Sequence, residues 1–118
     1  MSGVWIPLCA LDDIVPDSGV CARVGGRQVA VFRLRDGDVH AVGNVDPFSG
    51  AAVLSRGILG DVAGVPVVAS PVYKERFDLR TGTCLDDPAV RIPVYDVRLT
   101  GGVIEVAEPE PAPSSASR

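Results

Sequence analysis

Residues 70–82 read SPVYKERFDLRTG, and this stretch decides the fold class of the chain. Its first six residues combine Ser, Pro and charged side chains, which predicts a loop. The next four residues, RFDL, predict a short strand, and Thr81-Gly82 predicts a turn. The strand and the turn would then fix the place of the preceding loop.

Further strands are predicted on both sides of this stretch. The clearest is QVAVFRLR at residues 28–35, where alternation places Ala30, Phe32 and Leu34 on one face. The other predicted strands are 4–9, 20–24, 39–42, 65–69, 103–106, a bent strand at 53–59 and a longer one at 92–99. Turns are predicted at 25–26, 36–37, 60–64 and 100–102. No segment of about ten residues has helical periodicity, so the chain is predicted to be all-β.

Length and composition indicate one folded domain. The chain has 118 residues, 47% of them apolar, with 13 Gly and 10 Pro that divide it into short segments. From residue 107 the sequence AEPEPAPSSASR contains no large apolar side chain. Such a segment buries too little surface to offset its ordering entropy. We therefore expect a domain at residues 1–106 and a disordered tail at 107–118.

Charge and hydropathy exclude several classes of function. The net charge is −4 and no run of Lys or Arg occurs, which disfavours binding to nucleic acid. No apolar run approaches the roughly 20 residues that span a bilayer, and no signal peptide is evident. The three cysteines form no CxxC pair, which disfavours a thiolate metal site. The expected location is the cytoplasm.

A second loop, GNVDPFSGAA at residues 43–52, precedes the first along the chain. The two loops, with the strand RFD and a Thr-Gly turn after the second, resemble the Rieske-type iron–sulfur domain. That family has Cys-x-His in its first loop and Cys-x-x-His in its second. Two Cys bind one iron of a [2Fe–2S] cluster and two His bind the other. The resemblance implies a small antiparallel β-sandwich or barrel with the two loops at one tip.

Alignment with the family pattern, by the shared strand for the second loop and by Asp46-Pro47-Phe48 in place of Cys-Pro-His for the first, puts four other side chains at the ligand positions. Asp46 and Ser70 stand at the Cys positions, and Phe48 and Tyr73 stand at the His positions. Phe48 has no lone pair, whereas the carboxylate and hydroxyl groups are hard oxygen ligands. We therefore expect no metal bound by this chain. A hard-metal site at Asp46 is a weaker alternative to a carboxylate that caps loop amides.

The sequences of the two loops, together with the segment CLDD at residues 84–87, resemble the small subunit of bacterial assimilatory NAD(P)H-dependent nitrite reductase. This resemblance covers about residues 5–106. It implies a large catalytic subunit that carries FAD, an iron–sulfur cluster and siroheme and reduces nitrite to ammonium. The present chain would be a non-catalytic subunit without an active site of its own.

The loop tip is the expected surface for that partner. Its candidate residues are Phe48, Tyr73, Lys74, Glu75 and Arg76, because aromatic and Arg side chains are favoured at protein interfaces. Phe48 has an equally good alternative, which is to fill the volume that a cluster would occupy.

Three other functions remain open at this point. They are a stand-alone Rieske ferredoxin, a ligand-free interaction module of another oxidoreductase and a small-molecule-binding regulatory domain. The first would need cluster ligands, and no Gly-rich phosphate loop supports the last. Independent catalysis has no support, because the only imidazole, His40, lies on a predicted hairpin strand without an evident nucleophile.

Overall fold

The structure is a computed structural model that describes residues 4–107. It contains ten strands, which confirms the all-β prediction. They are β1 (Trp5–Ala10), β2 (Ser18–Val24), β3 (Arg27–Arg33), β4 (Val39–Gly43), β5 (Ile58–Val62), β6 (Val65–Ala69), β7 (Arg76–Asp78), β8 (Val94–Tyr95), β9 (Val97–Thr100) and β10 (Val103–Ala107). Two short 3₁₀ segments lie at Leu11–Asp13 and Leu54–Arg56.

The strands form three antiparallel sheets. The first has the order β1-β10-β9, the second β2-β3-β4-β8 and the third β5-β6-β7. The second sheet lies between the other two, because alternate residues of β3 enter two different cores. Val29 and Val31 pack with β1 and β10, whereas Ala30 and Phe32 pack with β6 and β7. This explains why residues 29–32 of β3 are all apolar and fully buried.

Several predicted elements have different boundaries in the structure. The strand predicted at 28–35 ends at Arg33, and the turn predicted at 60–64 is shorter. Gly60 and Asp61 belong to β5, because pairing with Val67 and Pro66 of β6 overrides their low strand preference. The chain turns only at Ala63 and Gly64.

Two predicted strands are wrong in type or continuity. Residues 54–56 of the predicted bent strand form a 3₁₀ turn, in which the Arg56 N–H donates to the Val53 carbonyl and the Gly57 N–H to the Leu54 carbonyl, both at 2.9 Å. Residues 92–99 are divided at Asp96 into β8 and β9. Here the chain leaves the middle sheet, where β8 pairs with β4, and enters the first sheet, where β9 pairs with β10.

The last strand includes the first residue of the segment that was expected to form the tail. Ala107, which was expected to begin the tail, pairs with Trp5 as the last residue of β10. Residues 108–118 of the predicted tail lie outside the described residues.

The RFDLRTG segment anchors the third sheet. Phe77 and Leu79 are fully buried, and the Asp78 carboxylate accepts hydrogen bonds from the Arg80 side chain at 3.2 and 3.1 Å. Gly82 follows with φ +81°, and its carbonyl accepts the Ile92 N–H at 2.9 Å. A Cβ atom on Gly82 would lie 2.1 Å from the Ile92 carbonyl oxygen, so no larger residue fits this turn.

Substitution of Gly82 tests this packing. Gly82→Ala combines a left-handed backbone cost with the clash, and we expect a loss of about 3 kcal/mol or more of unfolding free energy. Gly102→Ala is the matched control, since φ is +84° and nothing lies within 4 Å of its added Cβ. The control should lose only about 1 to 2 kcal/mol in urea unfolding. Equal losses would contradict the close approach at Ile92.

Candidate functional site

The two predicted loops have the same internal hydrogen bonds. In the first, the Asp46 N–H donates to the Ala51 carbonyl at 2.8 Å and the Asp46 carbonyl accepts the Gly50 N–H at 2.7 Å. In the second, the Ser70 N–H donates to the Glu75 carbonyl at 2.9 Å. The Ser70 carbonyl accepts the Lys74 N–H at 3.0 Å. Asp46 and Ser70 therefore occupy equivalent positions in their loops.

Side chain and backbone conformation extend this equivalence. The Asp46 Oδ1 accepts the Phe48 N–H at 2.8 Å, and the Ser70 Oγ accepts the Val72 N–H at 3.2 Å. The fourth residue after Asp46 and after Ser70 has positive φ, 78° at Gly50 and 69° at Lys74. The sequence signal for this likeness is the proline that follows both Asp46 and Ser70. The likeness between the two loops was not predicted from the sequence.

A buried hydrogen bond joins the two loops. The Ser70 hydroxyl donates to the Asp46 Oδ2 at 2.6 Å, and both residues are fully buried. A carboxylate without partners at this depth would be strongly destabilising, so the bond is needed once Asp46 is buried. It ties together positions that are 24 residues apart in the chain.

This environment lowers the pKa of Asp46 below its ordinary value of 3.8. Burial by itself raises the pKa, but hydrogen bonds from the Ser70 hydroxyl, the Phe48 amide and Ser49 have the larger combined effect. Asp46 is therefore an anion at neutral pH. Its stabilising contribution is present above pH 3.8 and is lost as the pH falls through the lowered pKa.

The Phe48 side chain extends from the first loop toward the core. This half-buried side chain packs against the core of the third sheet, with its ring centroid 6.3 Å from that of Phe77. The Phe48 side chain thus contributes to the packing of this core.

Residues of the second loop lie at the surface. Tyr73 is 60% exposed and Val72 43% exposed, whereas Glu75 is half-buried. The exposed Lys74 folds back so that its Nζ donates to the Pro71 carbonyl at 3.2 Å. The structure thus presents an aromatic and an aliphatic side chain beside a basic group.

Arg76 is held by the segment that follows the Thr-Gly turn. Its guanidinium donates to both carboxylate oxygens of Asp86, at 3.3 Å from Nε and 2.8 Å from Nη2. The Arg76 amide also donates to Asp86 Oδ2 at 2.8 Å. The hydrogen bonds from Arg76 lower the pKa of Asp86. The CLDD segment contributed to the family resemblance, but these hydrogen bonds at the base of the second loop were not predicted from it.

Asn44 has the corresponding role at the first loop, and it too was missed. Its fully buried side chain accepts the Ser55 N–H at 2.7 Å and donates to Gln28 Oε1 at 3.2 Å. The sequence showed only a polar residue in a polar loop. The position of Asn44 between β4 and the Leu54–Arg56 turn comes from the tertiary structure.

Comparison with known proteins agrees with the fold and the loops. The family described as Rieske-like [2Fe-2S] domain matches residues 4–107. The small subunit of nitrite reductase (NADH) from Salmonella typhimurium is 46% identical over 103 residues, which span 86% of this chain and 95% of that protein. The chain belongs to the nitrite reductase (NADH) small-subunit family.

A solved structure supports the same membership. The crystal structure of a Mycobacterium tuberculosis protein, described as an NADH-dependent nitrite reductase small subunit, has a TM-score of 0.88 and 55% identity to this chain. The match covers 92% of this chain and 97% of that protein.

A third match is of a different kind. A nitrite reductase [NAD(P)H] large subunit from Klebsiella oxytoca is 43% identical over 102 residues, which are 86% of this chain but only 11% of that protein. A segment similar to the small subunit therefore lies within that larger polypeptide.

The four aligned positions of this small-subunit family member do not fit a [2Fe–2S] cluster. Asp46 and Ser70 are joined to each other, Phe48 offers no donor atom, and Tyr73 has its side chain at the surface. Rieske iron requires thiolate and imidazole donors. Within residues 4–107, no group of three or more His, Cys, Asp or Glu residues could hold a metal ion. The same part of the chain has no helix long and apolar enough to cross a membrane.

Removal of the Ser70 hydroxyl tests the bond between the loops. Ser70→Ala should cost about 2 kcal/mol of unfolding free energy at pH 7, because the buried Asp46 carboxylate loses a charged hydrogen bond. The loss should shrink below pH 3.8 as Asp46 is protonated. Urea unfolding between pH 7 and pH 3 measures both effects.

The control is Ser55→Ala, a half-buried serine whose hydroxyl makes no hydrogen bond within residues 4–107. Its effect should be small and independent of pH. A Ser70→Ala loss at pH 7 that is no larger than the Ser55→Ala loss would contradict the stabilising role of the bond to Asp46.

Proposed function

We propose that this chain is the non-catalytic small subunit of an NAD(P)H-dependent nitrite reductase, which reduces nitrite to ammonium in nitrate assimilation. Its role is to bind and support the large subunit. The observation that carries the proposal is the buried Asp46–Ser70 hydrogen bond, which occupies the two thiolate positions of a Rieske-like domain. Family membership indicates nitrite reduction as the reaction. The Asp46–Ser70 bond is the reason to assign the redox chemistry to the large subunit.

The cofactors belong to the partner in this proposal. The large subunit carries FAD, an iron–sulfur cluster and siroheme, and the small subunit binds none of them. The Klebsiella oxytoca match supports association, because a segment like this chain and the rest of a large subunit share one polypeptide. The three cysteines are free thiols, in keeping with a reducing cytoplasm.

The loop tip is the proposed contact with the large subunit. Tyr73 supplies an exposed aromatic ring with a hydroxyl, and Lys74, Glu75 and Arg76 supply charge around it. Phe48 supports this surface from below through its contact with Phe77. Since Arg76 is already oriented by Asp86, it would lose little side-chain entropy on binding.

Iron content tests the proposed lack of a cluster. The purified chain should be colourless and contain no iron above background, because neither thiolate nor imidazole is available in the loops. Metal analysis and visible absorption measure this. A brown protein with about two irons per chain would overturn the proposal in favour of a Rieske ferredoxin.

Association with the large subunit tests the proposed contact. Tyr73→Ala and Arg76→Ala should each weaken binding about tenfold, as expected for interface anchors. Co-purification and titration with the large subunit of the same enzyme measure the affinity. Failure of the unmodified chain to bind would refute the subunit proposal.

Matched controls lie on the first sheet. Leu99→Ala removes an apolar side chain that is 47% exposed on β9. Arg98→Ala removes an arginine that is 48% exposed and paired with Glu105, much as Arg76 is paired with Asp86. If the loop variants bind no worse than these controls, the interface lies elsewhere on the domain.

A further inference from the structure

The β5–β6 hairpin has a free edge on the side of β5. Val62 pairs with Val65 across a two-residue turn, in which Ala63 has φ 53° and Gly64 has φ 88°. Positive φ at both positions is typical of a type I′ turn, whose flanking residues form a hydrogen-bonded pair. Bonded and non-bonded pairs then alternate along the hairpin. Leu59 and Asp61 therefore direct their N–H and C=O groups away from β6.

The bonds of the neighbouring strand agree with this orientation. Pro66 stands opposite Asp61, and its carbonyl turns the other way, toward the third strand of the sheet, where it accepts the Leu79 N–H at 3.0 Å. Within residues 4–107, β5 pairs with β6 alone. No turn or loop hydrogen bond in that range reaches the main chain of Leu59 or Asp61. Unpaired groups along such an edge can pair with a strand of another chain.

A groove of about 910 Å³ runs along this edge. It is lined by residues 57–61, which include most of β5, and by Asp17, His40 and residues of the β3–β4 turn. Gly64, Pro66 and Arg80 complete the lining, so the groove also reaches the rest of the third sheet. Ile58 is 65% exposed beside it. The five residues of β5 extend for about 17 Å, which matches a short extended segment of a partner.

The groove is acidic. It is lined by four aspartates, Asp17, Asp36, Asp38 and Asp61, and by two arginines, Arg35 and Arg80. Arg35 pairs with Asp17 at 2.8 Å, and Arg80 pairs at 3.1 Å with Asp78, which is not part of the lining. Asp36, Asp38 and Asp61 make no ion pair among the described residues. A segment that enters the groove is therefore favoured if it carries Lys or Arg.

We propose that an extended, basic segment of the large subunit binds in this groove and adds a strand to the free edge of β5. Main-chain groups of Leu59 and Asp61 would pair with the segment, and the three unpaired aspartates would bind its basic side chains. This inference rests on the proposed function, since the occupant belongs to the large subunit. It adds a second contact surface to the one at the loop tip.

Amide hydrogen exchange tests the strand addition directly. It is measured residue by residue by NMR for the free chain and for its complex with the large subunit. Exchange at Leu59 and Asp61 should slow at least about tenfold in the complex, because these amides gain hydrogen bonds. The Gly60 amide, which already faces β6, is the internal reference and should change less.

The outcomes separate the two proposals. A complex that forms without added protection at Leu59 and Asp61 overturns the groove inference and leaves the subunit function intact. If no complex forms, the proposed function fails and the groove inference fails with it. Slowing at both residues supports the inference.

A charge reversal gives an independent test. The Asp38 carboxylate makes no hydrogen bond within the described residues, so Asp38→Lys should leave the fold unchanged. It should weaken binding of the large subunit about tenfold, with a smaller difference at high salt. Asp96→Lys is the matched control, since Asp96 is exposed and not part of the groove. Equal affinity of the two variants would overturn the proposal that a basic segment binds in this groove.

Discussion

The hydrogen bond from Ser70 to Asp46 is the constraint on which the loop tip depends. The Asp46 carboxylate has no exposed surface, and its charge is stabilised there by hydrogen bonds from the Ser70 hydroxyl and the loop amides. The bond joins the two loops from inside, where a Rieske domain would use iron. With the loops held in this way, Phe48 packs inward on Phe77 and the end of the second loop faces outward.

The strongest sequence signals were those that local chemistry alone decides. Alternation in QVAVFR, the β-branched residues of β6 and the Thr-Gly turn predicted elements that the structure contains. The errors arose where tertiary contacts overrule local preference. Gly60 is in a strand because it pairs with Val67 of β6. Residues 92–99 form two strands because the first pairs with β4 in the second sheet and the next with β10 in the first sheet.

The sequence indicated which residues lie in the two loops, but not the side-chain contacts between them. Family resemblance placed Asp46, Phe48, Ser70 and Tyr73 in two adjacent loops, and the side-chain chemistry argued against a cluster. Nothing in the sequence indicated that Ser70 would bond to Asp46, because the two are 24 residues apart. The Arg76–Asp86 ion pair could not be predicted for the same reason, since its partners are ten positions apart in the chain.

The pairing of the first and last strands has a consequence for how such a domain can be built into larger proteins. Trp5 lies opposite Ala107, so the chain enters and leaves the domain at one place on its surface. A domain with adjacent ends can be spliced into or onto another polypeptide without distortion of either part. The Klebsiella oxytoca protein has such a segment within a single large polypeptide. The geometry of β1 and β10 is thus compatible with such a domain both as a separate chain and as a segment of a longer one.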